Sequence, residues 1–144
     1  MDKGKEIIYL SLMIDCGYGG LGIQIYKEGI PYDHVYYHEL MHAKDVLEGR
    51  FPSCGRFVPY NAPELSLITF LWHFSIEGRL QKLGKPHKEK EDTVTDEYYY
   101  MSSLYPNEKR FTKEFFQKLC DKLWGKEVTF QEIQSIISQA FTGL

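Results

Sequence analysis

His38-Glu39-Leu40-Met41-His42 is the stretch of this chain whose residue types and spacing carry chemistry. On a helix, residues four apart lie one turn apart on one face, so His38 and His42 can offer two imidazoles to a single ion. Zinc takes imidazole nitrogen at about 2.0–2.1 Å, and a catalytic zinc keeps three protein donors and one position for water or substrate. Glu39 points at the edge of the same face, where its carboxylate can take a proton from the attacking water. The cofactor expected from this pattern is one Zn2+ per chain.

A helix that displays these residues must be anchored from behind. Tyr36, Leu40, Ala43 and Leu47 recur at steps of three and four, which predicts an apolar face for the core beside the histidine face. Asp33 is placed to cap the start and Gly49 to end a helix over about 34–48. His34 lies one turn before His38 on the same stripe. It is about 12 Å along the axis from His42, too far for the three histidines to share one ion, and it reads as a cleft-rim or capping residue.

Three carboxylates are candidates for the third donor. Glu48 stands six residues past His42. Asp45 lies on the histidine face, one turn after His42, and suits a hydrogen bond to an imidazole better than direct ligation. Glu77 sits in a second, apolar helix beside Ile76 and a turn from Phe74 and Leu80, where a carboxylate needs a cation or strong donors to offset its desolvation. An arginine such as Arg79 or Arg50 is the alternative partner for it.

The motif helix resembles that of the zincin metallopeptidases, with Lys44 where their extended motif has a hydrophobic residue. Metzincins place their third ligand where Glu48 stands, but they need a glycine-assisted turn where this chain has Asp45. An HExxH helix followed, after a loop, by a second helix with one inward glutamate resembles the gluzincin branch, and the size and order of elements look most like the compact minigluzincins. The resemblance covers residues 21–81. It implies that His38, His42 and Glu77 hold zinc, that Glu39 is the general base, and that the substrate is a peptide or protein. Many gluzincins carry Asp four residues after the ligand glutamate to orient a metal-binding histidine. That place here is Gln81, and Asp45 is the candidate substitute.

At 144 residues and 43% hydrophobic content, the chain can bury one substantial core, and it reads as a single α+β domain over 1–144. Its motif core spans about 21–84 and its helical C-terminal part about 93–144. A net charge of −3 offers no basic surface for nucleic acid or an anionic membrane. Cys16, Cys54 and Cys120 are an odd number without a CxxC pair, so neither a disulfide framework nor a cysteine zinc site is indicated. The apolar run after Lys3 and Lys5 is too short for a membrane span, which needs about 18 residues, and no small-x-small cleavage site follows it. A cytoplasmic protein is the expectation.

Residues 6–14 and Leu21 to Tyr26 read as two strands of a hairpin around Gly17-Tyr18-Gly19-Gly20, forming a small N-terminal sheet. With few strands in the chain, one edge of the second strand is expected to stay open. In zincins the strand before the motif helix commonly receives the substrate as an added strand. By that resemblance Gly22, Ile23 and Gln24 form the docking backbone. Residues 50–60, with Pro52, Gly55 and Pro59, read as a loop, and Asn61-Ala62-Pro63-Glu64 as a capping box opening the long glutamate helix. That helix carries Leu65, Ile68, Trp72, Ile76, Leu80 and Leu83 and stops at Gly84. Lys88-Glu89-Lys90-Glu91-Asp92 reads as a solvated connector. Helices near 94–104, 113–124 and 130–142 follow, capped by Thr93, Thr112 and Thr129.

The residue that would stabilise the oxyanion is not singled out by pattern: Tyr60, His73, His87, Tyr98, Tyr99 and Tyr100 are candidates. A rival to the peptidase is a non-catalytic metal-binding or interaction module that keeps a zincin fold without turnover.

Overall fold

Strand-forming residues near the start and apolar helices punctuated by glycine after them set the architecture. The computed structural model describes residues 7–12, 21–26, 32–52 and 63–142. The chain divides into two units, Met1–Arg56 and Phe57–Leu144.

In the first unit, β1 (Ile7–Leu12) and β2 (Leu21–Tyr26) pair antiparallel, with Ile7 opposite Tyr26 and Leu12 opposite Leu21. The glycine turn expected between them lies outside the described residues. The next element, α1 (Tyr32–Leu47), packs against β2. The helix begins before Asp33, so this acid stands within the first turn and favours the positive end of the helix dipole instead of capping it. The far end closes as a Schellman turn. Gly49 takes φ 77°, its N–H donates to Val46 O at 3.0 Å, and the Arg50 N–H reaches back to Asp45 O at 2.9 Å. Near this end the buried arc takes in Met41, Ala43, Asp45 and Val46. Leu47, expected on the core stripe, is the last helical residue and stands exposed.

The second unit is four helices: α2 (Pro63–Lys82), α3 (Lys90–Leu104), α4 (Lys113–Leu123) and α5 (Phe130–Thr142). The other three all pack on α2. Leu67, Ile68, Leu71, Phe74, Ile76 and Leu80 are buried around its circumference, as expected of a helix surrounded by neighbours. Leu83 is exposed instead of joining that core, because the helix has already ended in a second Schellman turn. There Gly84 takes φ 69° and Lys85 N–H bonds Leu80 O at 3.0 Å.

The third helix starts at Lys90, inside the charged run expected to be a connector. Glu89 occupies its N-cap position, and Glu91 and Asp92 lie in its first turn, where acidic side chains suit the dipole. Thr93 is therefore not a cap. It is buried within the helix, and its hydroxyl donates to Glu89 O at 2.8 Å. Thr112 and Thr129 do cap: their Oγ1 atoms accept from Phe115 N–H and Glu132 N–H, each at 3.1 Å. Of the apolar residues expected to pack from these last helices, Phe111, Phe115, Phe116, Leu119, Leu123, Ile133 and Ile137 are buried, whereas Phe130, Ile136 and Phe141 are half-buried. No helix among the described residues is long and apolar enough to cross a membrane.

Candidate metal centre

The first unit carries the motif on α1 in helical register. His38 Nε2 and His42 Nε2 lie 3.1 Å apart. Two nitrogens sharing a tetrahedral zinc at about 2.0–2.1 Å must be about 3.3 Å apart. The observed separation meets that requirement with almost no rearrangement. Without an ion, one Nε2–H can donate to the other nitrogen's lone pair; with one, both lone pairs face it. Both rings and Glu39 are half-buried, so the face is sheltered but not sealed. His34 makes an edge contact with His38, the ring centroids being 5.9 Å apart, and extends the imidazole row toward the start of the helix.

The two acids after the motif differ sharply. Asp45 has no exposed surface, and its carboxylate faces Arg50 at 3.5 Å. Glu48 is exposed and pairs with Lys44 at 3.1 Å and with Arg50. Arg50 thus bridges both carboxylates across the Schellman turn and locks the end of the motif helix.

In the second unit, Glu77 is 2% exposed on α2, as its apolar neighbours predict. Its Oε1 accepts from the Lys88 N–H at 2.9 Å, which supplies one of the donors a buried carboxylate requires. Arg79 is buried as well, with its Nε donating to Ser75 O at 3.3 Å. The Lys88 ammonium donates to Asp96 at 2.7 Å. Burial alone would lower its pKa, but the Asp96 hydrogen bond and the charges of Asp96, Glu97 and Glu77 outweigh it and hold the pKa above its ordinary value. Gln81 accepts from the Trp124 indole N–H at 2.9 Å, so it serves the α2–α4 packing.

One pair was not legible in the sequence. His73, one turn before Glu77 on α2, shares a 2.9 Å hydrogen bond between its Nδ1 and Oε1 of Glu97 on α3. Glu97 is buried, and nothing in the local pattern around it marks it as a histidine's partner. The available signal was the spacing of His73 and Glu77, which puts them on one helix face.

Of the other oxyanion candidates, Tyr60 lies outside the described residues. Tyr99 and Tyr100 are exposed, and His87 Nδ1 donates to Lys85 O at 2.9 Å near the surface. Cys120 is a buried free thiol that burial pushes up to about 12, which leaves it protonated and a poor nucleophile or ligand. Cys16 and Cys54 lie outside the described residues. On β2, the backbone of Gly22, Ile23 and Gln24 faces Ser11, Leu10 and Tyr9 of β1, and among the described residues no other strand pairs with β2.

No family model, curated protein or solved structure matches this chain.

Proposed function

We propose that this protein is a zinc-dependent metallopeptidase of gluzincin type, with His38, His42 and Glu77 as zinc ligands and Glu39 as general base. The observation that carries the reading is the 3.1 Å approach of two imidazole Nε2 atoms on the helix that also displays Glu39. Glu77 enters from the order of motif helix and glutamate helix, and its burial in a setting with a backbone donor supports a functional carboxylate there.

Zinc, when bound, supplies a Lewis acid that polarises a peptide carbonyl and makes water a stronger acid. The chain's own residues do the rest. His38 and His42 hold their Nε2 lone pairs toward one point. The Glu39 carboxylate accepts the proton of the water whose oxygen adds to the carbonyl carbon, then returns a proton to the amine as the C–N bond breaks. Asp45 and Arg50 fix the helix end that carries His42. The backbone of Gly22, Ile23 and Gln24 offers an edge to which an extended peptide can add as a strand.

The test is metal content of the full chain purified without added zinc, followed by peptide hydrolysis with and without a chelator. About one zinc per chain and chelator-sensitive hydrolysis are expected. Near-stoichiometric zinc in the His38→Ala/His42→Ala double variant would remove the site from α1 and end this reading. Metal without turnover in the wild type would favour a binding module.

A further inference from the structure

We propose that the groove between α4 and α5 is a docking site for an acidic, amphipathic peptide helix. It is built from the second unit alone and is independent of the zinc reading.

The groove has an apolar floor and a basic rim. Its volume is about 480 Å3, within the range of about 300–1,000 Å3 typical of ligand sites. Phe115 and Leu119, one turn apart on α4, form the floor with Ala140 of α5. Arg110 closes one end: its guanidinium lies 4.0 Å from the centre of the Phe141 ring, and its Nε donates to Glu108 Oε1 at 2.6 Å. The Phe141 ring in turn stacks on Phe115, with centroids 5.9 Å apart, so this end is held from both helices.

The charges select the partner. Lys109, Lys118 and Lys122 are exposed on the rim, and none of them is in an ion pair among the described residues. The nearby acids are turned elsewhere. Asp121, between two of these lysines in sequence, is held by Lys90 of α3 at 2.8 Å and by Gln117 at 3.1 Å, and Glu108 is held by Arg110. Glu114, one turn before Lys118, is the one acid among the lining residues. On a chain whose net charge is −3, this local surplus of positive charge steers an acidic partner to one face.

The spacing selects a helix. Lys118 and Lys122 are one turn apart, about 6 Å along the axis of α4. Carboxylates at i and i+4 of an added helix repeat with the same rise. A helix laid along α4 therefore meets both ammonium groups while its apolar stripe lies over Phe115, Leu119 and Ala140. The guanidinium of Arg110, the group suited to two-point contact with phosphate, is already given to Glu108. Single ammonium groups remain, and these suit carboxylates spaced along a peptide.

The experiment is fluorescence anisotropy of the full chain with a labelled synthetic helix of about 15 residues, leucine on one face and glutamate along both of its edges. Saturable binding with a Kd below about 1 mM, weakening as salt rises, is expected. Lys118→Glu/Lys122→Glu should lower affinity at least about tenfold. Lys113→Glu/Lys126→Glu changes the net charge equally at exposed positions that do not line the groove, and it should not. Ala140→Gln should also weaken binding, because it puts a polar side chain into the floor while leaving the buried Phe115 and Leu119 in place. His38→Ala/His42→Ala should bind the probe as the wild type does, so failure of the zinc site and failure of this site are read separately; loss of the probe in that variant would move docking to α1 and end the proposal. It is equally overturned by absence of saturable binding, by wild-type affinity in a Lys118→Glu/Lys122→Glu variant shown by circular dichroism to be folded, or by equal losses in the two charge-reversal variants. A scrambled peptide of the same composition that binds as well would reduce the attraction to charge alone. Binding of phosphatidylserine vesicles through Lys118 and Lys122, without binding of the peptide, would assign the face to a membrane. Either result also removes the peptide site.

Discussion

Gly78 in the middle of α2 and Gly125 at the end of α4 meet backbone to backbone. A Cβ built on Gly78 would stand 2.0 Å from Gly125 N and 2.5 Å from Gly125 Cα, and the Gly125 N–H reaches the Phe74 carbonyl at 3.4 Å. Gly125 itself takes φ 71°, a conformation that side chains disfavour. The crossing is then tied on both sides: Lys82 Nζ donates to Gly125 O at 2.9 Å, and the Ser75 hydroxyl donates to Lys126 O.

Gly78→Ala separates two effects of opposite sign. Helix propensity alone would make alanine more stable by about 1 kcal/mol. The backbone contact predicts instead a loss of about 3 kcal/mol, at the upper end of overpacking costs, because no flexible side chain can yield. Urea denaturation reads the difference, and a variant as stable as the wild type would show that the two backbones do not touch.

Glu39→Gln should leave zinc bound and abolish hydrolysis, since the amide keeps the side-chain shape but cannot accept the proton. Among the other carboxylates, Glu77→Ala should weaken zinc binding most and Glu48→Ala least. Glu48 is exposed and already paired with Lys44 and Arg50. Asp45→Asn should fall between them. Zinc affinities across the series check the ranking, and an unchanged value for Glu77→Ala would refute the gluzincin assignment.

Gln24→Pro should reduce peptide binding sharply while zinc content stays unchanged. Gln24 lies opposite Tyr9 within the β1–β2 pair, so far-UV circular dichroism must first show that the hairpin survives. Normal peptide binding by a folded, zinc-loaded variant would place the substrate elsewhere.

The Lys88–Asp96 pair should appear in the alkaline limb of the stability profile. Because the folded state raises the Lys88 pKa above its ordinary 10.5, the stabilisation is fully present below that value and is lost as pH rises through the folded value. The ammonium is partly exposed, so solvent screening limits the effect to less than about 1 kcal/mol. Lys88→Met should flatten this limb in denaturant midpoints followed through the lysine range. An identical pH profile in the variant would show that the pair contributes nothing.

Helix ends were the most legible part of the sequence, because glycine and threonine act there through local backbone chemistry. Gly49, Gly84 and Gly125 all take positive φ, and Thr112 and Thr129 cap as read. Thr93 failed as a cap because the same hydroxyl can bond back into a helix, and Lys90, Glu91 and Asp92 are as acceptable in a first helical turn as in a connector. In the candidate site, His38, Glu39 and His42 could be read because one helix sets their spacing. The His73–Glu97 pair joins two helices through tertiary packing, which no local period encodes. Gly78 likewise owes its role to the close approach of Gly125, which lies far from it in sequence.

Trp72 and Trp124 are the chain's two tryptophans, and both belong to the second unit. One is buried on α2, and the other points its indole N–H at Gln81. Selective tryptophan emission is therefore a built-in optical probe of the four-helix unit alone. Melting of the hairpin and motif helix must be followed through far-UV or tyrosine signals. If the two units unfold at different denaturant concentrations, the two kinds of trace will not superimpose.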